Sequence, residues 1–213
     1  MSSFPLTPNN RITRLPKRAE YDRDAIYAIL DEALVCTVAF VRNGEPVQIP
    51  TGFCRVGDKL YIHGSVGSGY IRAMAENPMS VCVSVTHLDG LVLARSAFHH
   101  SMNYRSAVVF GKTARVTDDD EIYKALEVFT EKVQPGRWAD VRHPDAGEWK
   151  ATMVLSITID DASAKVRTGP PKDDEVDYGL DTWAGVVPLK LQRLTPIPDD
   201  LLKTGVSVPD YLK

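Results

Sequence analysis

A length of 213 residues suits one domain with an extended tail, and a composition of 44% hydrophobic and 25% charged residues is that of an ordinary globular chain with a buried core. A formal charge of −3 leaves no clustered basic surface of the kind nucleic acid requires. No apolar run approaches the roughly 18 residues of a spanning helix, and the opening MSSFPLTPNNRITRLPKR lacks the apolar stretch of a signal peptide, so a cytoplasmic protein without membrane or nucleic-acid partners is expected.

In chain order, residues 1–20 carry prolines and basic residues without periodicity and read as an extended arm. From Asp22, the residues Ala25, Ile26, Ile29, Leu30 and Ala33 recur at helical spacing, with acids at the start where the helix dipole favours them. Leu34 to Val41 reads as a strand, and Asn43-Gly44 is a strong two-residue hairpin signal that returns Pro46 to Arg55 antiparallel. Gly57-Asp58 turns again into a strand from Lys59 to His63.

His63-Gly64-Ser65-Val66-Gly67-Ser68-Gly69 then leads into a short helix from Tyr70 to Glu76. A glycine- and serine-rich passage from strand to helix can cradle a phosphate, because exposed backbone N–H groups and the helix dipole both favour an anion. It matches neither common nucleotide-loop fingerprint, and a plain connecting turn is the alternative. Val81 to His87 is predicted to pair with Leu91 to Phe98 across an Asp89-Gly90 turn. A third strand, Tyr104 to Arg115, follows the polar link His99 to Asn103.

Asp118 and Glu121 supply a cap-like start for a helix with Ile122, Leu126, Phe129 and Val133 on one face, ended by Pro135-Gly136. Thr152 to Ile159 alternates as a strand, and Lys165 to Arg167 can extend the sheet. The remainder is rich in Asp and Pro, except for an apolar patch from Trp183 to Leu189 that must dock on its own barrel or on a partner chain. Short strands joined by hairpins, with two or three helices between them, predict a mainly β (α+β) fold with a closed or nearly closed antiparallel barrel.

Arg95, Ser96, His99, His100, Tyr104, Arg105 and Ser106 form a dense polar set in an apolar stretch. Alternation along a strand sends some of them to solvent. The adjacent pairs His99-His100 and Tyr104-Arg105 nonetheless leave one member each on the inner face, to be satisfied by a ligand or a subunit interface. Cys36, Cys54 and Cys82 are odd in number and widely spaced, which excludes a disulfide framework and a CxxC site. His63, His87, His99, His100 and His143 lack tight ligand spacing, so no metal site is expected. The string Gly64-Ser65-Val66-Gly67 lacks the form of a hydrolase nucleophile elbow.

Four stretches, LYIHG at 60–64, VTHLDGLVLARSAFHHSMNYRSAVVFGKTARV at 85–116, KVRTGPP and the later WAGVVPL, resemble the FMN-binding split-barrel proteins. The similarity is greatest to the branch related to pyridoxamine 5′-phosphate oxidase and to the nitroimidazole-resistance (Nim-type) reductases, and it spans about residues 20–195. It implies a six-stranded Greek-key barrel over 21–195, between an arm at 1–20 and a tail at 196–213, forming a homodimer with flavins in the clefts between subunits. It also places His63, Gly64, Ser65 and Ser68 along the flavin phosphate and ribityl chain, with Arg72 on the following helix. Thr51 and Ser106 then approach the ring, Trp183 covers it, and His99, His100, Tyr104 and Arg105 line the substrate side or the dimer cleft. Where such proteins usually carry a basic residue, this chain has Gly69 and Tyr70. The function implied is an FMN-dependent oxidoreductase moving electrons between a reduced nicotinamide, NAD(P)H, and a small molecule. A non-catalytic flavin store and a haem-binding split barrel are the alternatives.

Overall fold

The computed structural model describes residues 2–213. Among them nine strands and four α-helices follow in the order β1 (Ala19–Glu20), α1 (Arg23–Glu32), β2 (Val35–Arg42), β3 (Glu45–Val56), β4 (Lys59–Ser65), α2 (Gly69–Glu76), β5 (Ser80–Leu93), β6 (Ser101–Arg115), α3 (Asp119–Val133), α4 (Ala146–Ala151), β7 (Thr152–Thr158), β8 (Asp161–Arg167) and β9 (Gly185–Pro188). No helix among them is long and apolar enough to cross a membrane.

All pairings are antiparallel, and the order β6-β7-β4-β3-β2-β5 closes on itself because β5 also pairs with β6. The result is the closed antiparallel barrel that the residue pattern predicts, with the six strands that the resemblance implies. Outside the ring, β8 adds to β6, β1 to β8, and β9 to β5. The β2–β3 hairpin turns at Asn43 and Gly44, both at positive φ (53° and 82°), as a tight turn matching the strand twist demands.

Two apolar layers hold the barrel. Its interior is filled by side chains such as Phe53, Leu60, Ile62, Val83, Val109, Leu155 and Ile157, with α1 contributing Ile26, Ile29 and Leu30. A second, smaller layer under α3 contains Cys54, Tyr61, Val116, Ala125 and Val154. Asp118 caps α3 by accepting the Glu121 N–H at 2.8 Å. Ile122, Leu126 and Phe129 face this layer as their spacing predicts, whereas Val133 is 47% exposed and its neighbour Lys132 turns inward.

The structure corrects one predicted turn. Asp89-Gly90 does not reverse the chain, because β5 runs unbroken from Ser80 to Leu93 with a register shift between Leu88 and Gly90. Gly90 is needed there for close approach rather than for a turn: a Cβ would lie 3.0 Å from Val186 Cγ1 and 3.1 Å from the Val187 carbonyl oxygen. The reversal falls at residues 94–100, where the Ser96 hydroxyl caps a short 3-10 turn, Ala97–His99. Within the apolar patch at 183–189, Gly185–Pro188 docks on its own sheet as β9 against Gly90–Leu93, while Trp183 stays exposed. The amino-terminal arm is likewise tied down, with Phe4 and Asn10 buried.

Gly111 occupies a similarly tight place. A Cβ on it would lie 2.8 Å from Ile157 Cγ2 and 2.9 Å from the Thr158 carbonyl oxygen, so the backbone would have to shift. Gly111→Ala is expected to destabilise the fold by about 1–3 kcal/mol in urea titrations. Gly179→Ala, with nothing within 4 Å of the added carbon, should change stability by well under that. Equal effects would show that the β6–β7 contact is looser than described.

Candidate functional site

The end of β4 and the start of α2 form an open cradle of backbone donors. The loop is held in shape from within: the Ser65 hydroxyl accepts the Gly67 N–H (3.1 Å) and the Ser65 carbonyl accepts the Ser68 N–H (2.8 Å). Ser68 stands at the N-cap but its hydroxyl makes no capping bond, and the N–H groups of Gly69, Tyr70 and Ile71 have no protein partner among the described residues. Three unpaired donors and the positive end of the helix dipole are therefore gathered at the start of α2, which is the chemistry of an anion site. Gly64 lets α2 seat this closely, since a Cβ there would lie 2.9 Å from Ile71 Cγ1. Arg72 is exposed and in no ion pair among the described residues.

His63 lies on the α3 side of β4, edge-on to Phe129 with ring centroids 4.5 Å apart. Burial lowers its pKa, so the imidazole is neutral at pH 7. Thr51 pairs with Cys36, and cross-strand partners share a face; its side chain is thus on the interior side, its hydroxyl donating to the Gly52 carbonyl at 3.4 Å. Ser106 pairs with Thr86 on the opposite, outward face and donates to the Lys165 carbonyl at 3.3 Å. The two residues expected near one ring therefore point to different sides of the barrel wall.

The polar set on β5 and β6 divides into separate environments. Arg105 is engaged by two carboxylates, Asp89 (3.0 and 2.9 Å) and Glu32 (2.8 Å and a second, shorter contact). Its hydrogen bonds hold the Glu32 carboxyl below the usual range. This fork ties the end of α1 to the barrel. Tyr104 is half-buried beside Arg167. His100 is exposed and donates from Nδ1 to the Ser96 carbonyl at 3.0 Å. His99 approaches Asp174, with Nε2 3.2 Å from Oδ2. Trp183 is 67% exposed and leans over Gly185.

The cradle on β4 and the His99 and Trp183 region beyond β5 are three strands apart in either direction round the ring. Among the described residues no hydrogen bond, ion pair or aromatic pair joins them. Between them, the outward side of β2 carries exposed apolar residues. Val35 and Val41 are 56% and 64% exposed there, and a shallow cavity of about 640 Å³ is lined partly by Ala39, Val41, Cys82 and Phe110.

One half-buried charged group escaped sequence reasoning. The Lys132 ammonium donates to the Leu30 carbonyl at 3.0 Å and lies 3.6 Å from the centre of the Phe53 ring. It borders a cavity of about 440 Å³ with Asp31, Arg55, Glu127 and Glu131. A charged residue beside an apolar helical stripe reads as solvated, and no local signal marks this one.

A closed antiparallel barrel with an amide-lined loop at the mouth of one strand defines a split-barrel protein. The chain belongs to the pyridoxamine 5′-phosphate oxidase family, which matches it over residues 22–166. It is similar to the flavocytochrome Anf3 of Azotobacter vinelandii, with 38% identity, a TM-score of 0.89, and coverage of 97% of this chain and 95% of that one. It is also similar to the FAD and heme binding protein of Mycobacterium smegmatis, with 41% identity, a TM-score of 0.86, and coverage of 91% and 95%. A candidate 5-nitroimidazole antibiotic resistance protein of Bacteroides thetaiotaomicron, at 24% identity, a TM-score of 0.58 and coverage of 70% and 86%, shares the fold alone. No curated protein matches the chain.

The α3 layer gives stability a distinctive pH dependence. Burial holds the Lys132 pKa down to about 8, against about 10.4 for an ordinary lysine. Between these values the unfolded chain binds more protons, so this group makes stability rise with pH. The thiols act oppositely, since burial pushes Cys36 up to about 12 and Cys54 to about 11. Above the ordinary thiol pKa of about 8.5 the unfolded chain loses those protons first, and stability falls. Lys132→Met is expected to abolish the rise and keep the fall in denaturation series across pH. Parallel curves for the two proteins would put the ammonium in solvent.

Proposed function

We propose that the chain is a flavin-nucleotide-binding redox protein acting as a homodimer. The observation that carries this reading is its similarity, over more than nine-tenths of each chain, to proteins described as a flavocytochrome and as an FAD and heme binding protein. The cradle fits such a ligand: the N–H groups of Gly69, Tyr70 and Ile71 and the Ser68 hydroxyl would bind phosphate oxygens, with Arg72 as the nearby cation. A bound flavin supplies hydride and electron transfer, and the protein supplies orientation and polarity around the ring.

The character of the cradle favours FAD over FMN. A terminal phosphate is nearly a dianion at pH 7, with a second pKa of about 6, and calls for a cation where Gly69 and Tyr70 stand. The pyrophosphate of FAD carries one charge per phosphate, which amides and a helix terminus accommodate. In the proposed dimer the flavin lies between two protomers, joined across the exposed apolar side of β2, so that the cradle of one and Trp183 of the other can both reach it. Burying Val35 and Val41 in that contact also removes apolar surface from water. A reduced nicotinamide donor and a small acceptor complete the proposed reaction.

Haem is the second reading, favoured by the same two relatives. A neutral, half-buried imidazole suits an axial ligand, and His63 is such a group. A Soret band in haem-reconstituted protein should be lost in His63→Ala; a band that persists there would assign the ligand elsewhere.

Calorimetric titration with FAD, FMN and riboflavin tests the flavin reading. The expected order has FAD tightest and riboflavin weakest. Arg72→Ala should weaken the phosphate-bearing flavins about tenfold, corresponding to one charge-assisted hydrogen bond of about 1.5 kcal/mol, and riboflavin much less. An equal loss for all three would remove Arg72 from the site. Failure of every flavin to bind would overturn the proposal.

A further inference from the structure

Away from the cradle, His99, Asp174 and Asp177 bring one imidazole and two carboxylates together, with donor atoms all within 4.8 Å of one another. They come from segments far apart in sequence that a separate set of bonds holds in register. The Asp173 carboxylate is fully buried and accepts the Arg95 N–H (2.9 Å), the Arg95 guanidinium (3.1 Å) and the Ser96 N–H (3.4 Å). Burial works against its charge, but these hydrogen bonds prevail and keep the group ionised. Arg95 also lies over the Tyr178 ring at 5.1 Å. Residues 173–178 are thus fastened to the 95–99 turn without using any of the three donor groups.

Local geometry then aims those groups at one point. Asp174 precedes a 3-10 turn, Glu175–Gly179, and its carbonyl accepts the Asp177 N–H at 3.0 Å. Residues three apart in such a turn eclipse one another, so both carboxylates stand on one side. Opposite them, His99 Nε2 is buried and has no hydrogen-bond partner, although Asp174 Oδ2 is only 3.2 Å away. The approach is close but lacks the direction of a hydrogen bond. A separation of that size is what two ligand atoms show when each sits about 2.1 Å from a shared metal, at an angle of roughly 100°. An orphaned buried nitrogen is uncommon and calls for an explanation.

We propose that His99, Asp174 and Asp177 form a binding site for a divalent first-row cation such as Zn²⁺, clamping residues 173–179 onto the turn between β5 and β6. Two carboxylates neutralise the ion, and Arg95, the cation packed on this segment, is already balanced by Asp173. One nitrogen with two oxygens suits zinc or its neighbours better than calcium, which takes six to eight oxygen ligands. Three protein donors leave the remaining positions to water. The site was invisible in the sequence because the acidic run near 173–177 reads as a solvated tail. Its chemistry is independent of the flavin reading.

Equilibrium dialysis of the full chain against Zn²⁺ tests the proposal. Saturable uptake of one ion per chain is expected, accompanied by a rise in melting temperature. The double variant Asp174→Asn with Asp177→Asn, which leaves the Asp173 anchor intact, should lose affinity roughly tenfold or more, and so should His99→Gln. His100→Ala and His143→Ala should bind as the wild type does, which separates this site from adventitious histidine binding. Circular dichroism verifies that each variant folds, and His99→Gln decides the question should the aspartate pair prove necessary for folding. Absence of saturable uptake by the wild type, or equal uptake by the wild type and both site variants, would overturn the proposal.

Discussion

The ladder between β5 and β6 is the interaction on which the rest of the molecule depends. It runs from Ser80 opposite Lys112 to Val92 opposite Ser101, longer than any other pairing in the fold. One half closes the barrel, since β5 there also binds β2 and buries Val81, Val83 and Val85 against the interior. The other half projects past the ring and offers an edge on which β9 pairs, with β8 along β6. A projecting two-stranded ribbon is marginal in water by itself. Its added strands, and the Asp173 anchor at its tip, supply the missing partners.

The bulge at Leu88 and Gly90 follows from this double duty. A strand that both wraps a barrel and leaves it tangentially must change twist between the two tasks, and an extra residue is the usual means. Read as a sequence, Asp89-Gly90 between apolar runs is indistinguishable from a hairpin turn, because glycine serves tight turns and close backbone approach equally. Only the position of Val186 and Val187 against Gly90 separates the two. Local signals with a single physical meaning were legible: Asn43-Gly44 at positive φ, the Asp118 cap, and the helical stripe of Ile26, Ile29 and Leu30. Non-local ones were not. Lys132 beneath Phe53, Asp173 beneath Arg95 and the Arg105 fork to Glu32 and Asp89 arise from contacts between distant segments, and charged residues carry no periodic mark of burial.

The glycine- and serine-rich loop shows how weak sequence evidence gains force from structure. Its residues could have closed an ordinary turn, with Ser68 capping the helix. Instead Ser68 leaves the helix end uncapped, and three N–H groups go unpaired beside a loop already braced by Ser65. On the proposed flavin reading, Gly69 and Tyr70 in place of a cation match a ligand whose phosphates carry one charge each.

Flavin binding is tested most directly by the visible absorption spectrum of protein incubated with excess FAD and then freed of unbound ligand. Retention of the two-band spectrum of oxidised flavin, at one equivalent per chain, is expected from a cradle built on this loop. A colourless protein after that treatment would contradict it.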